Sequence, residues 1–298
     1  MNITKYNPAV ILIYFISNIL ITMLTKNPVF IMLSFVSIII FSLIIKSPNK
    51  LLKNILFMFA IIIIATLTNP FFNSLGKTVI FTIGKTEFSL EAMSYGFFTA
   101  LMIIAVVLWF RNYNLIMTSD KFLYLFSKYF PNLSLIISMV LKLIPELLIK
   151  LKDYDDAQKV IGIYAKRGFI KKLKNKFLIL GSLFSYAIED SLQSAISMKA
   201  RGYGLKEKTH FTTYKFRLRD FTFAFLTISL TLSIFILSYD TIINFSFYPR
   251  MSELSFDNLS IISYGLFLLL ANLASILHLK EKIKWHYLKS KIYHSPTL

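Results

Sequence analysis

The sequence predicts an all-α, polytopic membrane protein, with about six spanning helices and a set of amphipathic cytoplasmic helices between the fourth and the fifth. Three observations carry that expectation. Of the 298 residues, 56% are hydrophobic and only 16% charged, where soluble domains are about 45–50% apolar and ~25% charged. Mean hydropathy is +0.63. Apolar runs near the ~20 residues that a bilayer crossing takes recur six times, and they leave well over a hundred residues for another task.

The runs fall at about 9–25, 28–46, 52–69, 93–110, 220–238 and 259–279, and their interiors are almost free of charge. The first follows Asn7-Pro8 and has Lys5 as a basic flank. No small-x-small cleavage site follows Met23-Leu24-Thr25-Lys26, so it reads as an uncleaved helix rather than a signal peptide. Orientation follows from Lys and Arg, which cytoplasmic loops retain. Lys46, Lys50 and Lys53 around the second connection, and Lys280, Lys282, Lys284, Lys289 and Lys291 after the last run, put those segments inside. The 70–92 and 239–258 connections set Lys77, Lys85 and Arg250 against Glu87, Glu91, Asp240, Glu253 and Asp257, and read as outside. Both termini are then cytoplasmic, as is the long connection 111–219, and the chain divides into 1–111, 112–218 and 219–298. That connection holds 20 Lys or Arg against 8 acids, +12 of the net +18. The basic excess therefore reads as the inner side of a membrane protein in the plasma membrane of a prokaryote, not as a nucleic-acid surface.

The long connection has no uncharged run of 18 residues. Ser134–Ile149 is interrupted by Lys142, Pro145 and Glu146, and Phe177–Ile188 is too short to span, so both read as helices at or just below the membrane surface. Three pieces are expected: about 133–160, bent at Pro145; about 174–187; and about 188–201, with Ile188, Leu192, Ala195 and Ile196 on one stripe and Gly202 and Gly204 as stop signals. Lys152 with Asp156 and Asp155 with Lys159 form i,i+4 pairs of a solvated face.

Other chemistries find little footing. The chain has no cysteine, and His210, His278, His286 and His294 are scattered without metal-ligand spacing. Gly76-Lys77-Thr78 and Gly84-Lys85-Thr86 lack the first glycine of a phosphate-binding loop, since Phe71 and Val79 stand there. Gly202-Tyr203-Gly204 begins a dinucleotide-like pattern that Glu207 breaks. The enzyme alternative is a membrane prenyltransferase holding magnesium on Asp153, Asp155 and Asp156, but a DDxxD pattern needs an acid where Lys159 stands. A self-sufficient transporter would carry charged or strongly polar residues facing a central path, and these spans read as lacking them.

Arg201 falls in the last turn of its helix. A cation there faces the negative helix terminus, or Lys199-Ala200-Arg201-Gly202 forms a projecting knob whose guanidinium docks against a partner's carboxylates. Ser197 to Gly204, Ser-Met-Lys-Ala-Arg-Gly-Tyr-Gly, resembles the second coupling motif of the transmembrane T component of energy-coupling factor (ECF) transporters, a family related to the membrane subunit of cobalt and nickel uptake systems. Leu141-Lys142-Leu143-Ile144-Pro145-Glu146 is similar to that family's "LRFIP" segment, and Asp156 to Gly162 resembles its first coupling motif, with Gln158, Val160, Ile161 and Gly162 as its core. Val160 and Ala200 are 40 residues apart, as the family's motifs are, and Glu189 stands where the family often has an acid. The family's first motif usually reads Ala-Arg-Gly, so its arginine is absent here; Ala165 to Gly168 offers Arg167 as an alternative, six residues late.

The resemblance implies a non-catalytic scaffold of an ABC importer. Its coupling helices would sit in grooves on two ABC ATPase subunits, which hold the ATP and magnesium, while its membrane helices hold a small substrate-binding membrane subunit (S component). It implies no cofactor and no metal on this chain, with a vitamin or metal ion as cargo.

Overall fold

The computed structural model describes residues 6–45, 49–72, 76, 78–83, 86–127, 129–162, 169–205, 214, 216–238, 245–253 and 256–293. Among these residues the elements are α1 (Pro8–Leu24), α2 (Pro28–Ile45), α3 (Asn49–Phe72), β1 (Val79–Ile83), β2 (Thr86–Ser89), α4 (Leu90–Ile116), α5 (Ser119–Ser127), α6 (Pro131–Val160), α7 (Phe169–Ala200), α8 (Leu218–Leu237) and α9 (Asn258–Tyr293). They form two compact units, Met1–Thr118 with Tyr214–Leu298, and Ser119–Thr213. The protein is an all-α polytopic membrane protein.

In the first unit a helix answers each of the six apolar runs. α2, α4, α8 and α9 are long and apolar enough to cross a membrane, whereas α1 and the 58–72 part of α3 are shorter apolar helices. α4 packs on α1, α2 and α3, α8 on α1, and α9 on α2 and α8. Trp109 of α4, 0% exposed, lies 5.8 Å from the Phe15 ring, 6.1 Å from Tyr14 and 6.2 Å from Phe41, which come from α1 and α2. Its Nε1 donates to Ser34 Oγ at 3.0 Å. Thr22 Oγ1 spends its proton on the Asn18 carbonyl at 2.7 Å, so in the 2.7 Å contact between Ser34 and Thr22 it is Ser34 that donates. Tyr14 donates to the Ala271 carbonyl at 2.7 Å, which adds α9.

The spans thus carry strongly polar residues after all. Asn18 and Asn112 are buried in mid-helix, and each turns its amide onto the carbonyl four residues back, Tyr14 and Leu108, at 2.9 Å. Asn272 reaches Ser37 at 3.0 Å. A polar side chain is tolerated in an apolar bundle when a backbone or hydroxyl acceptor lies within reach.

Gly96 explains how α3 meets α4. A Cβ there would stand 2.7 Å from the Ala65 carbonyl and 3.0 Å from Asn69 Cβ, so only glycine lets the two backbones approach this closely. At one end of the unit, Ser89 caps α4 through the Ala92 N–H at 3.3 Å, and the buried Glu91 accepts the Thr78 hydroxyl at 2.7 Å. The antiparallel β1–β2 pair occupies what the sequence offered as a loop over 70–92; with turn residues at its centre and strand formers only five and four long, the pair gives a weak period-2 signal. At the start of α8 the buried Asp220 accepts the Arg217 N–H at 2.9 Å and the Asn7 N–H at 3.3 Å, tying the chain's first turn to its fifth apolar run.

The second unit is α5, α6 and α7. The sequence reading did not separate out α5, whose Leu123 carbonyl accepts Ser134 Oγ at 3.2 Å. The pieces expected at 174–187 and 188–201 are one helix, because nothing between Phe169 and Ala200 stops it: Gly181 is tolerated and no proline intervenes. α6 is continuous through Pro145, and its apolar part also satisfies the length and composition of a spanning helix, since two charges in 18 residues do not disqualify it. Its apolar side chains face away from the protein: Ser134 is its one buried residue among those described. α9 likewise runs past the sixth apolar run to Tyr293, as no glycine or proline stands between Gly265 and Pro296.

Two glycine substitutions should move stability in opposite directions. Gly96→Val forces α3 off α4 and should lower the melting temperature of the detergent-solubilised protein by several degrees, about 2–3 kcal/mol of overpacking. Gly181→Ala adds a methyl that meets nothing within 4 Å and should raise it, by the roughly 1 kcal/mol helix preference of alanine.

Candidate functional site

Two helix ends in the second unit are built alike. α6 closes with the Ile161 N–H on the Ala157 carbonyl at 3.1 Å and the Gly162 N–H on the Lys159 carbonyl at 3.0 Å. α7 closes with the Arg201 N–H on the Ser197 carbonyl, the Gly202 N–H on Lys199, both at 3.1 Å, and the Tyr203 N–H on Met198 at 3.0 Å. Gly162 and Gly202 have φ of 77° and 85°, the left-handed conformation that stops a helix and that a Cβ disfavours. The register is the same residue for residue: Val160 matches Ala200 as last helical residue, Ile161 matches Arg201 as cap, and Gly162 matches Gly202 as stop.

These ends present unlike surfaces to solvent. Val160 is 88% and Ile161 73% exposed, an apolar tip, while Arg201 offers an exposed guanidinium beside exposed Lys199 and Tyr203. Gln158 is half-buried one turn inside the first tip, and Pro145 and Glu189 are exposed on the helix shafts. Arg167 lies outside the described residues.

The acidic cluster is arranged for something other than magnesium. Lys159 takes Asp155 at 2.8 Å and Asp156 at 2.9 Å, so Asp156 pairs there and not with Lys152. Among the described residues no group of three His, Cys, Asp or Glu could hold a metal ion.

One functional contact escaped the sequence reading. Tyr186 of α7 donates to Glu146 Oε1 of α6 at 2.6 Å, and Lys150 lies 5.5 Å above the same ring. Glu146 and Lys150 are one turn apart on α6, a legible pair, but nothing in α7 marks Tyr186 as its partner. The hydrogen bond to the Glu146 carboxylate, and secondarily desolvation, push the Tyr186 phenol up to about 12. A phenol raised on folding contributes its stability below its ordinary value and loses it as pH rises through the raised one. In an alkaline titration at 295 nm, the difference between the parent and Tyr186→Phe should be a phenol ionising near 12; in Glu146→Gln that step should fall back toward ~10.

The sequence matches the family described as CbiQ, cobalt transport protein, over residues 2–211, a stretch that takes in α1 through α7 and both helix ends. No curated protein matches the chain. A family match over more than half the length, on a bundle of apolar helices, makes this a membrane protein of a transport system: the chain belongs to the CbiQ cobalt transport protein family, the family of ECF T components.

Proposed function

We propose that the chain is the transmembrane coupling subunit of an ECF-type ABC importer, passing the motion of two ATPase subunits to a separate substrate-binding membrane subunit (S component) that carries a vitamin or metal ion. The observation that carries this reading is the repetition of one helix ending at Val160-Ile161-Gly162 and Ala200-Arg201-Gly202. Two equivalent tips suit two equivalent grooves, and the shared register favours Ile161 over Arg167 as the counterpart of Arg201. In this reading the chain binds no cofactor, and ATP and magnesium belong to the ATPases. Both termini and the Ser119–Thr213 unit face the cytoplasm of a prokaryotic cell.

The physical parts fit a lever. Glu146 and Tyr186 tie α6 to α7, and each stands 14 residues before its own tip, Val160 or Ala200. At 1.5 Å per residue that is about 21 Å of helix on either side. A push on either tip is therefore delivered at the same distance from the tie. Arg201 can make a bidentate, force-bearing contact with a carboxylate, whereas Ile161 fits an apolar recess, so the two grooves differ in chemistry. The exposed apolar residues along the shafts, Ile144, Leu148 and Ile149 on α6 and Phe177, Phe184 and Leu192 on α7, supply a surface for the substrate-binding subunit.

Affinity purification from native membranes tests the reading: two ATPases and a small hydrophobic subunit should accompany the chain, and an isolated chain without ATPase activity would overturn it. Arg201→Glu should abolish uptake while membrane insertion is retained, and Arg167→Glu should leave uptake near the parent level. Normal uptake by the Arg201 variant would remove the role assigned to it, and a severe loss at Arg167 would move the first motif.

A further inference from the structure

We infer that the last four turns of α9 are a binding element for anionic phospholipid headgroups in the leaflet from which the helix emerges. α9 is a single helix of 36 residues, about 54 Å at 1.5 Å per residue, against a hydrocarbon layer of about 30 Å and about 40–45 Å with headgroups. Its apolar part ends at Leu279, so the remaining 14 residues pass through the headgroup layer. They carry Lys280, Lys282, Lys284, Lys289 and Lys291 against Glu281 alone.

Three features favour lipid over a protein partner. Side chains on a helix lean toward its N-terminus, which here is the bilayer side, so the exposed Lys280, Lys282, Lys284 and Lys289 lean back toward the phosphates. Trp285 is 63% exposed among them, and Tyr287 flanks it, aromatic rings of the kind that settle at headgroup level. Lys282, Trp285, His286 and Lys289 border an open recess in which amino groups stand beside apolar surface, a match for a phosphodiester on its glycerol. Four to eight basic residues directly after a spanning helix are enough for an anionic surface to be selected over a zwitterionic one, by about fivefold per lysine. The inference does not depend on the coupling role.

The chain's two tryptophans make the test direct, because Trp109 is buried in the bundle and Trp285 is in the tail. The full chain is reconstituted in phosphatidylcholine nanodiscs with trace lipid bearing one acyl-chain fluorophore under either a phosphatidylglycerol or a phosphatidylcholine headgroup. Energy transfer from tryptophan is read after subtraction of the Trp285→Phe signal. Transfer from Trp285 should be at least about threefold greater to the anionic probe at low salt and fall to parity near about 1 M salt. Replacing the five lysines by glutamine should abolish the preference, and replacing them by arginine should keep it, which separates charge from misfolding. Equal transfer to both probes in the parent overturns the inference, as does a preference that survives the glutamine variant. Parity in the parent, with loss of co-purifying ATPase subunits in the glutamine variant, would assign the lysines to a protein partner instead.

Discussion

The hydrogen bond from Trp109 to Ser34 is the contact around which the membrane bundle is organised. It begins a chain with a single consistent direction: Trp109 donates to Ser34, Ser34 to Thr22, and Thr22 to the Asn18 carbonyl, linking α4 to α2 to α1. Inside a bilayer the lipid tails are as apolar as leucine, so burying apolar surface does little to choose helix partners. Packing and short polar links do the choosing. Each link is worth only about 0.6 kcal/mol on average in such bundles, yet the set permits one register, because sliding α2 by a turn would orphan the indole N–H among the Phe15 and Phe41 rings.

The rest of the unit follows from that registration. With α1, α2 and α4 locked, Tyr14 lies opposite the Ala271 carbonyl and brings in α9, and Asn27 lies opposite the Tyr264 hydroxyl at 3.1 Å. α3 joins through shape instead, on the gap left by Gly96. The ends are closed by buried carboxylates that collect backbone donors, Glu91 beneath Thr78 and Asp220 beneath Asn7 and Arg217. Such carboxylates are retained in apolar surroundings because each accepts more than one hydrogen bond.

The same requirement, that no backbone group be left without a partner, shapes the second unit differently. Its helices end in the open, and the terminal carbonyls are satisfied by glycine-capped turns at Gly162 and Gly202. A cap made by glycine needs no side chain, so the residue before it is free to vary with its partner. Ile161 and Arg201 occupy one structural position with opposite chemistry, and a shared geometry with unlike tips follows from backbone economics alone.

Much of this was legible from the chain. Hydropathy located all six apolar helices of the first unit, because a run of ~20 apolar residues admits few other fates. The glycines at 162 and 202 marked both helix ends, since a stop signal acts locally. The basic tail was visible, but not that it continues α9 without a break. Composition missed the buried asparagines, whose amides become acceptable only where a carbonyl or hydroxyl stands within 3 Å. It also missed the tie from Tyr186 to Glu146, which joins residues 40 apart. What the sequence determined by itself is everything set by period and by neighbours in the chain: the membrane class, the number of apolar helices and their stops. Which helix faces which, and which polar group is thereby satisfied, was decided by the tertiary structure alone, because those energies exist only between segments that the fold has already brought together.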